Sequence, residues 1–229
     1  MEGKVTTLRE GLPPLPRRMR ALPLDHRGYP IPWFVAWVGP DGKSRPRGEG
    51  EPYFTAAAQR AFETAIRTRV CWVCGDRLGV HLTFVIGPMC AVNRVTAEPP
   101  CHLDCAEFAA LACPFLTRPK MRRALKEINA PGFAIERNPG VCLLWTTRAA
   151  RTWRPGVGGE GVLFDLGEPE RLAWYAQGRA ATRAEILESF ESGLSILRER
   201  AEAEGAEAVA DLERLIREAM PLIPAEAAP

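Results

Sequence analysis

Two short cysteine-bearing stretches constrain this chain more than anything else in it. One is Cys71-Trp-Val-Cys74, followed by Gly75; the other, after 27 intervening residues, is His102-Leu-Asp-Cys105. A tight turn at the first stretch aims two thiolates at one point. A glycine after the second cysteine lets the backbone curl so that its N–H groups face sulfur. In the second stretch, donors three positions apart share one face of a helix. A helix N-terminus also favours the thiolate form. Three thiolates and one imidazole suit a tetrahedral zinc ion, and a set of four protein ligands leaves no open position. The expected metal is therefore structural. A redox cysteine pair is the rival reading, but such pairs open helices after strands, and Gly75-Asp76 reads as a turn.

The fourth ligand has a competitor. Cys101 pairs with Cys105 at i,i+4, and Cys101 and His102 stand about 100° apart on a helix, so only one of them can bind. His102 is the expected ligand, because H-x-x-C repeats the spacing of the first pair. Cys113 lies roughly 12 Å along the helix from Cys105, too far for the same ion, and is expected in the core beside Phe108 and Phe115. Cys90 reads as core rather than ligand. Cys142 alternates with Val141 and Leu143 in a strand.

Seven cysteines in a chain whose first residues, MEGKVTTLREGLPPLPRRM, carry no apolar signal-peptide core argue against a disulfide framework and for the cytoplasm. The apolar runs are too short to span a bilayer, so no membrane partner is expected. A net charge of +2, with 46% hydrophobic and 25% charged residues, fits a globular protein and gives no general electrostatic drive toward nucleic acid. Lysine occurs only at Lys4, Lys43, Lys120 and Lys126; the bias to arginine, with abundant Ala and Gly, points to a GC-rich bacterial or phage genome.

The pattern predicts an α+β fold in three parts. Residues 1–24 read as a flexible Pro/Arg-rich arm with Arg17, Arg18 and Arg20. Residues 25–166 read as a zinc-stabilised domain. It contains a turn with a salt bridge at Asp25-His26-Arg27-Gly28-Tyr29, a strand over 31–38 and a helix over 55–69 capped by Thr55. A strand over 81–86, a second strand or loop over 89–95 and a helix over 101–116 follow. A short basic helix over 119–128 then precedes a small antiparallel sheet from strands at 133–137, 141–148 and 162–166. Residues 167–229 read as helical, with a capping box at Thr182-Arg-Ala-Glu185 and a break at Gly205.

A knuckle, a hairpin and a helix carrying two ligands resemble the treble-clef zinc finger. The stretch FVIGPMCAVNRVTAEPPCHLDCAEFAALACPFL, and upstream LPLDHRGYPIPWFVAWVGPDGK, is similar to uncharacterised zinc-binding proteins of phages and high-GC bacteria. That resemblance carries no known activity. Knuckles of this kind also occur in HNH nucleases, where His81 would act as general base and Asn93 as positioning residue. His81 lacks the preceding acidic or His partner, and the apolar FVIGPMC replaces the polar segment usual there. A basic patch (Arg118, Lys120, Arg122, Arg123, Lys126), with Arg148, Arg151 and Arg154 near Trp145 and Trp153, could hold phosphates of DNA or RNA. The expected function is a zinc-stabilised, non-enzymatic binding or adaptor protein with nucleic acid as a candidate partner. The alternatives are an HNH-like metal-dependent nuclease and a protein–protein scaffold.

Overall fold

The structure is a computed structural model and describes residues 7–58, 60–118, 138–155 and 161–225. The fold is mixed α+β, with small antiparallel sheets and helices at the C-terminal end. Its organising element is strand β6 (Val141–Thr147), in which every residue is buried. The run VCLLWTT has no polar face to turn to solvent, so both of its faces must be covered. Strands β4 (Leu82–Ile86) and β9 (Arg171–Ala176) flank β6 antiparallel, and β10 (Arg179–Ala180) completes the order β10-β9-β6-β4. Helix α3 (Leu103–Ala112), followed by the short α4 (Pro114–Thr117), packs on β4, β6 and β9; helices α2 (Pro88–Asn93) and α5 (Arg183–Glu204) pack on β6, and both contact α6 (Ala206–Ala219).

Two smaller sheets attach to this centre. Strands β1 (Val35–Val38), β2 (Ser44–Arg45) and β3 (Glu51–Ala57) form the order β2-β1-β3; β5 (Val95–Thr96), β7 (Ala150–Trp153) and β8 (Leu163–Leu166) form β5-β8-β7. One apolar cluster runs from Met19 to Ile223 and takes in Phe84, Leu143, Trp145 and Ile186, all below 2% exposed.

Several sequence expectations meet the structure directly. The strand from 81–86, the C-terminal helices and their capping box are as expected: the Thr182 hydroxyl accepts from the Glu185 N–H, and the Glu185 carboxylate accepts from the Thr182 N–H. Asp25 and Arg27 form the expected salt-bridged turn at 2.8 Å.

Other expectations are corrected. Thr55 lies in strand β3 and is not the cap of helix α1 (Ala61–Thr68), which starts later, after Arg60 turns the chain with φ of 63°. Residues 89–95 fold largely as helix α2, because Pro88 supplies a pre-set first helical residue after Gly87. The segment from 168, read as helical, first forms β9 and β10, whose alternating RLAWYA supplies an inner strand of the main sheet. In the segment read as an arm, Met19 and Leu22 are buried in the main core, and Arg17–Met19 form a 3₁₀ turn. The expected helix over 119–128 and strand over 133–137 lie outside the described residues.

Candidate metal centre

The first cysteine pair sits in a tight loop closed by the chain on either side. Val70 and Arg77 pair antiparallel, and the Leu78 N–H donates to the Arg69 carbonyl at 2.8 Å. Within the loop, the Cys71 N–H donates to the Asp76 carbonyl (2.7 Å) and the Gly75 N–H to the Cys71 carbonyl (2.9 Å). Gly75 takes φ of +82°, and a Cβ there would stand 2.4 Å from the Trp33 ring. Glycine is thus required both by the backbone turn and by the indole above it.

Aromatic packing fixes the loop from outside. Trp72, between the two cysteines, stacks on Phe34 at 4.7 Å and meets Trp33 and Phe62 edge-on at 6.4 and 5.8 Å. The Trp33 N–H donates to the Val73 carbonyl (2.7 Å) and the Trp72 N–H to the Pro100 carbonyl (3.1 Å).

The second pair is held by the edge of the central sheet. Cys101 bridges Thr83 of β4 through two backbone hydrogen bonds, of 2.7 and 3.0 Å. The helix begins at Leu103, not at 101, so His102 is its extended N-cap and Cys105 its third helical residue. An N-cap side chain and the third helical side chain face each other, which is the relation a capping box uses. The H-x-x-C spacing works through that relation and not through a shared helical face.

These two pieces bring four donors together. The Sγ atoms of Cys71, Cys74 and Cys105 and a ring nitrogen of His102 all lie within 4.8 Å of one another. Cys71 and Cys105 are 0% exposed and Cys74 is 8% exposed. The His102 Nε2 lies 3.1 Å from the Arg77 carbonyl, and Nδ1 lies 3.4 Å from Cys74 Sγ. A carbonyl only accepts, so Nε2 carries the proton and the Nδ1 lone pair faces the sulfurs. That is the outer partner that orients metal-binding imidazoles. Around one tetrahedral ion, a sulfur and a nitrogen at bond lengths of ~2.3 and ~2.05 Å would stand about 3.6 Å apart, and two sulfurs about 3.8 Å apart. A contraction of at most about 1.2 Å would close the set on an ion, so the four residues could hold a metal.

The sulfur electrostatics centre on Cys71. Its Sγ accepts from the Cys74 N–H (3.5 Å) and the His102 N–H (3.4 Å). Hydrogen bonds from the Cys101, Cys105 and Cys74 thiols pull its pKa far below the usual range, against the opposing effect of burial. Cys105 is pushed up, first by its hydrogen bond to Cys71, then by that to Cys74 and by burial. Cys74 is pushed up to about 12; its bond with Cys105 acts downward but is outweighed by Cys71 and burial. A cation bound among these sulfurs would take the place of the thiol protons.

The rival Cys101 hydrogen-bonds the Cys71 sulfur and is held well above the usual thiol range by that bond and by burial, but it is not one of the four converging donors. Cys90 and Cys113 are half-buried and Cys142 is buried in β6, its thiol pushed up to about 12 by burial. The remaining sequence candidates lie apart from this cluster. His81 is exposed, and its Nε2 faces Glu170 at 3.2 Å; Glu170 also holds Arg148 at 2.8 Å. Asn93 is exposed at the end of α2, so a strand and a helix stand where a nuclease would need a hairpin. Arg148 and Arg151 are both ion-paired, Arg151 to Asp165 at 2.7 Å. Arg118 is exposed, while Lys120, Arg122, Arg123 and Lys126 lie outside the described residues.

Sequence reasoning missed the aromatic seat of the loop and the Arg77 carbonyl. The available signal was Trp72 inside the C-x-x-C turn, a large apolar side chain that has to be buried somewhere. Among the described residues no helix is long and apolar enough to cross a membrane. Comparisons with family models, with curated proteins and with solved structures find nothing that matches this chain.

Proposed function

We propose that Cys71, Cys74, His102 and Cys105 hold a structural zinc ion, and that the protein is a non-catalytic, zinc-stapled binding or adaptor protein. The observation that carries the metal reading is the convergence of the four donor atoms within 4.8 Å, with the imidazole tautomer set for binding through Nδ1. Three thiolates and one imidazole are the donor set of closed zinc sites, and thiolates select against magnesium or calcium. The ion would pin the 69–78 loop to the first turn of α3, supplying folding energy rather than a reactive position.

The arrangement resembles a treble clef in its two ligand-bearing pieces, a cysteine knuckle and a helix N-terminus. It departs from one in between, where β4, α2 and β5 replace a two-stranded hairpin. The adaptor reading is supported by the character of the centre: four protein donors fill a tetrahedral shell and leave no open position for a substrate or water. DNA or RNA and a protein are both candidate partners.

Metal analysis and X-ray absorption on the purified chain test the centre. The expected result is one zinc per chain in a shell of three sulfurs and one nitrogen. A chain without metal would refute the site, and a four-sulfur shell would replace His102 by Cys101.

A further inference from the structure

Beside the metal centre lies an open cleft of about 530 Å³ whose lining includes Arg17, Arg18, Leu22, Arg47, Cys74 and Asp76. Its arginines come from two segments distant in sequence. Arg17 and Arg18 belong to the 3₁₀ turn that Met19, 2% exposed, anchors in the core, and Leu22 is also buried beside it. Arg47 comes from the loop between β2 and β3. The guanidinium groups of Arg17 and Arg18 are therefore carried by an anchored part of the fold rather than by a loose arm.

Their charge is poorly compensated. Arg18 reaches Asp104 only at 3.5 Å, with both side chains more than 40% exposed, a geometry worth little in water. Arg17 and Arg47 have no ion-pair partner among the described residues, and desolvation draws the Arg47 pKa down. Asp76 is the single acid on the lining. Asp76 and a zinc ion with three thiolates would each contribute one net negative charge, which leaves the three arginines one positive charge in excess on the lining.

We propose that this cleft binds a phosphate group, gripped by Arg17, Arg18 and Arg47. Guanidinium forks match phosphate oxygens in bidentate fashion, and such bonds are among the strongest polar contacts proteins make. The volume falls within the range of small-ligand sites and leaves room for more than a bare phosphate. No aromatic side chain lines the cleft, so the grip reads phosphate and not base identity. The proposal rests on the zinc reading only in that the ion fixes the Cys74 wall.

The test uses the full zinc-loaded chain and two probes: orthophosphate by calorimetry, and short mixed-sequence oligonucleotides by fluorescence anisotropy over a salt series. The double variant Arg17→Ala, Arg47→Ala is expected to weaken binding about tenfold or more per guanidinium removed. The slope of log affinity against log salt should become shallower by ~0.7–0.9 per lost contact. Arg217→Ala, on exposed α6, should change neither. Binding of the oligonucleotide alone assigns the phosphate to a nucleic-acid backbone; binding of orthophosphate at comparable strength assigns it to a small phosphorylated ligand. Both outcomes support the cleft. Failure of the wild-type chain to bind either probe overturns it. So does a double variant that binds like wild type, including one that only loses zinc, which would make the arginines mere counter-charges to the thiolates. Zinc content measured on the same samples judges the metal reading separately.

Discussion

Replacing Cys105 by serine removes one donor from the fully enclosed side of the centre, where the sulfur is 0% exposed. Structural zinc binding contributes an apparent ~10–16 kcal/mol at neutral pH. If four ligands share it evenly, the loss is roughly 2.5–4 kcal/mol, or about two to three decades in zinc affinity. The whole term is comparable to the ~5–15 kcal/mol that holds an ordinary domain folded, so the variant should fold in excess zinc and release the metal to a chelator that leaves wild type intact. Competition against a chromogenic chelator reads the affinity, with near-ultraviolet circular dichroism of Trp72 and Trp33 following the loop. The comparison that gives the test its edge is Cys101→Ser. The Cys101 side chain supplies only a hydrogen bond to the Cys71 sulfur, worth about 0.5–1.5 kcal/mol, and a serine hydroxyl can still donate it, so even its complete loss would stay within roughly tenfold of wild type. Cys105→Ser with wild-type affinity, or Cys101→Ser falling further than Cys105→Ser, would falsify the ligand assignment.

Two further perturbations probe the supports. Gly75→Ala meets a left-handed backbone and the Trp33 ring at 2.4 Å, so it should cost roughly 2–5 kcal/mol by urea denaturation at fixed zinc; Gly42→Ala, with φ of +71° but open space around it, should cost only about 1–2 kcal/mol, and equal losses would count against the clash. Glu185 is held at about 2, chiefly by its hydrogen bond to Arg179 and also by the Thr182 N–H. Because the folded value is depressed, its contribution is complete above the unfolded value of ~4.5 and fades as pH falls toward 2. It is on the order of 1 kcal/mol after solvent screening. Denaturation curves of wild type and Glu185→Gln should therefore differ at pH 7 and converge near pH 2; a gap that widens in acid would contradict the assignment.

The metal centre was legible in the sequence because its information is local. Two donor pairs, each three positions apart, and a glycine at the turn specify two small geometries that need only be brought together. The choice of His102 over Cys101 rested on the repeated spacing of H-x-x-C; the shared helical face expected for His102 and Cys105 does not describe the real backbone, since the helix starts one residue after His102. The spacing rule still led to His102 because an N-cap and the third helical residue also face one another. The capping box at Thr182 was legible for the same local reason. What was not legible depends on tertiary context. The run MCAVN is apolar enough for strand or helix, and Pro88 decides it only once the preceding strand ends at Ile86. RLAWYA, beside an obvious helical region, becomes a strand because β6 needs a partner on its second edge. Arg17 and Arg47 share a cleft that no spacing in the sequence announces.

A metal staple at this position would serve a purpose even in a chain with a large apolar core. The core cluster already binds the central sheet to α2, α3, α5 and α6. The N-terminal sheet is different: its own buried cluster is only Ile31, Val35 and Trp37, too little to stabilise three short strands alone. Its attachment runs through Trp33 and Phe34 onto Trp72, and Trp72 is carried on the loop between the two knuckle cysteines. An ion that locks this loop to the first turn of α3 therefore also locks the N-terminal sheet, indirectly, to the edge of the central one. Without it, the aromatic contacts would still be favourable, but the loop that presents Trp72 would have to be ordered at their expense, at about 1–2 kcal/mol for each residue fixed. The stability a bound ion would contribute is thus concentrated at the junction between the sheets, and the junction, not the core, is where its loss would be felt first.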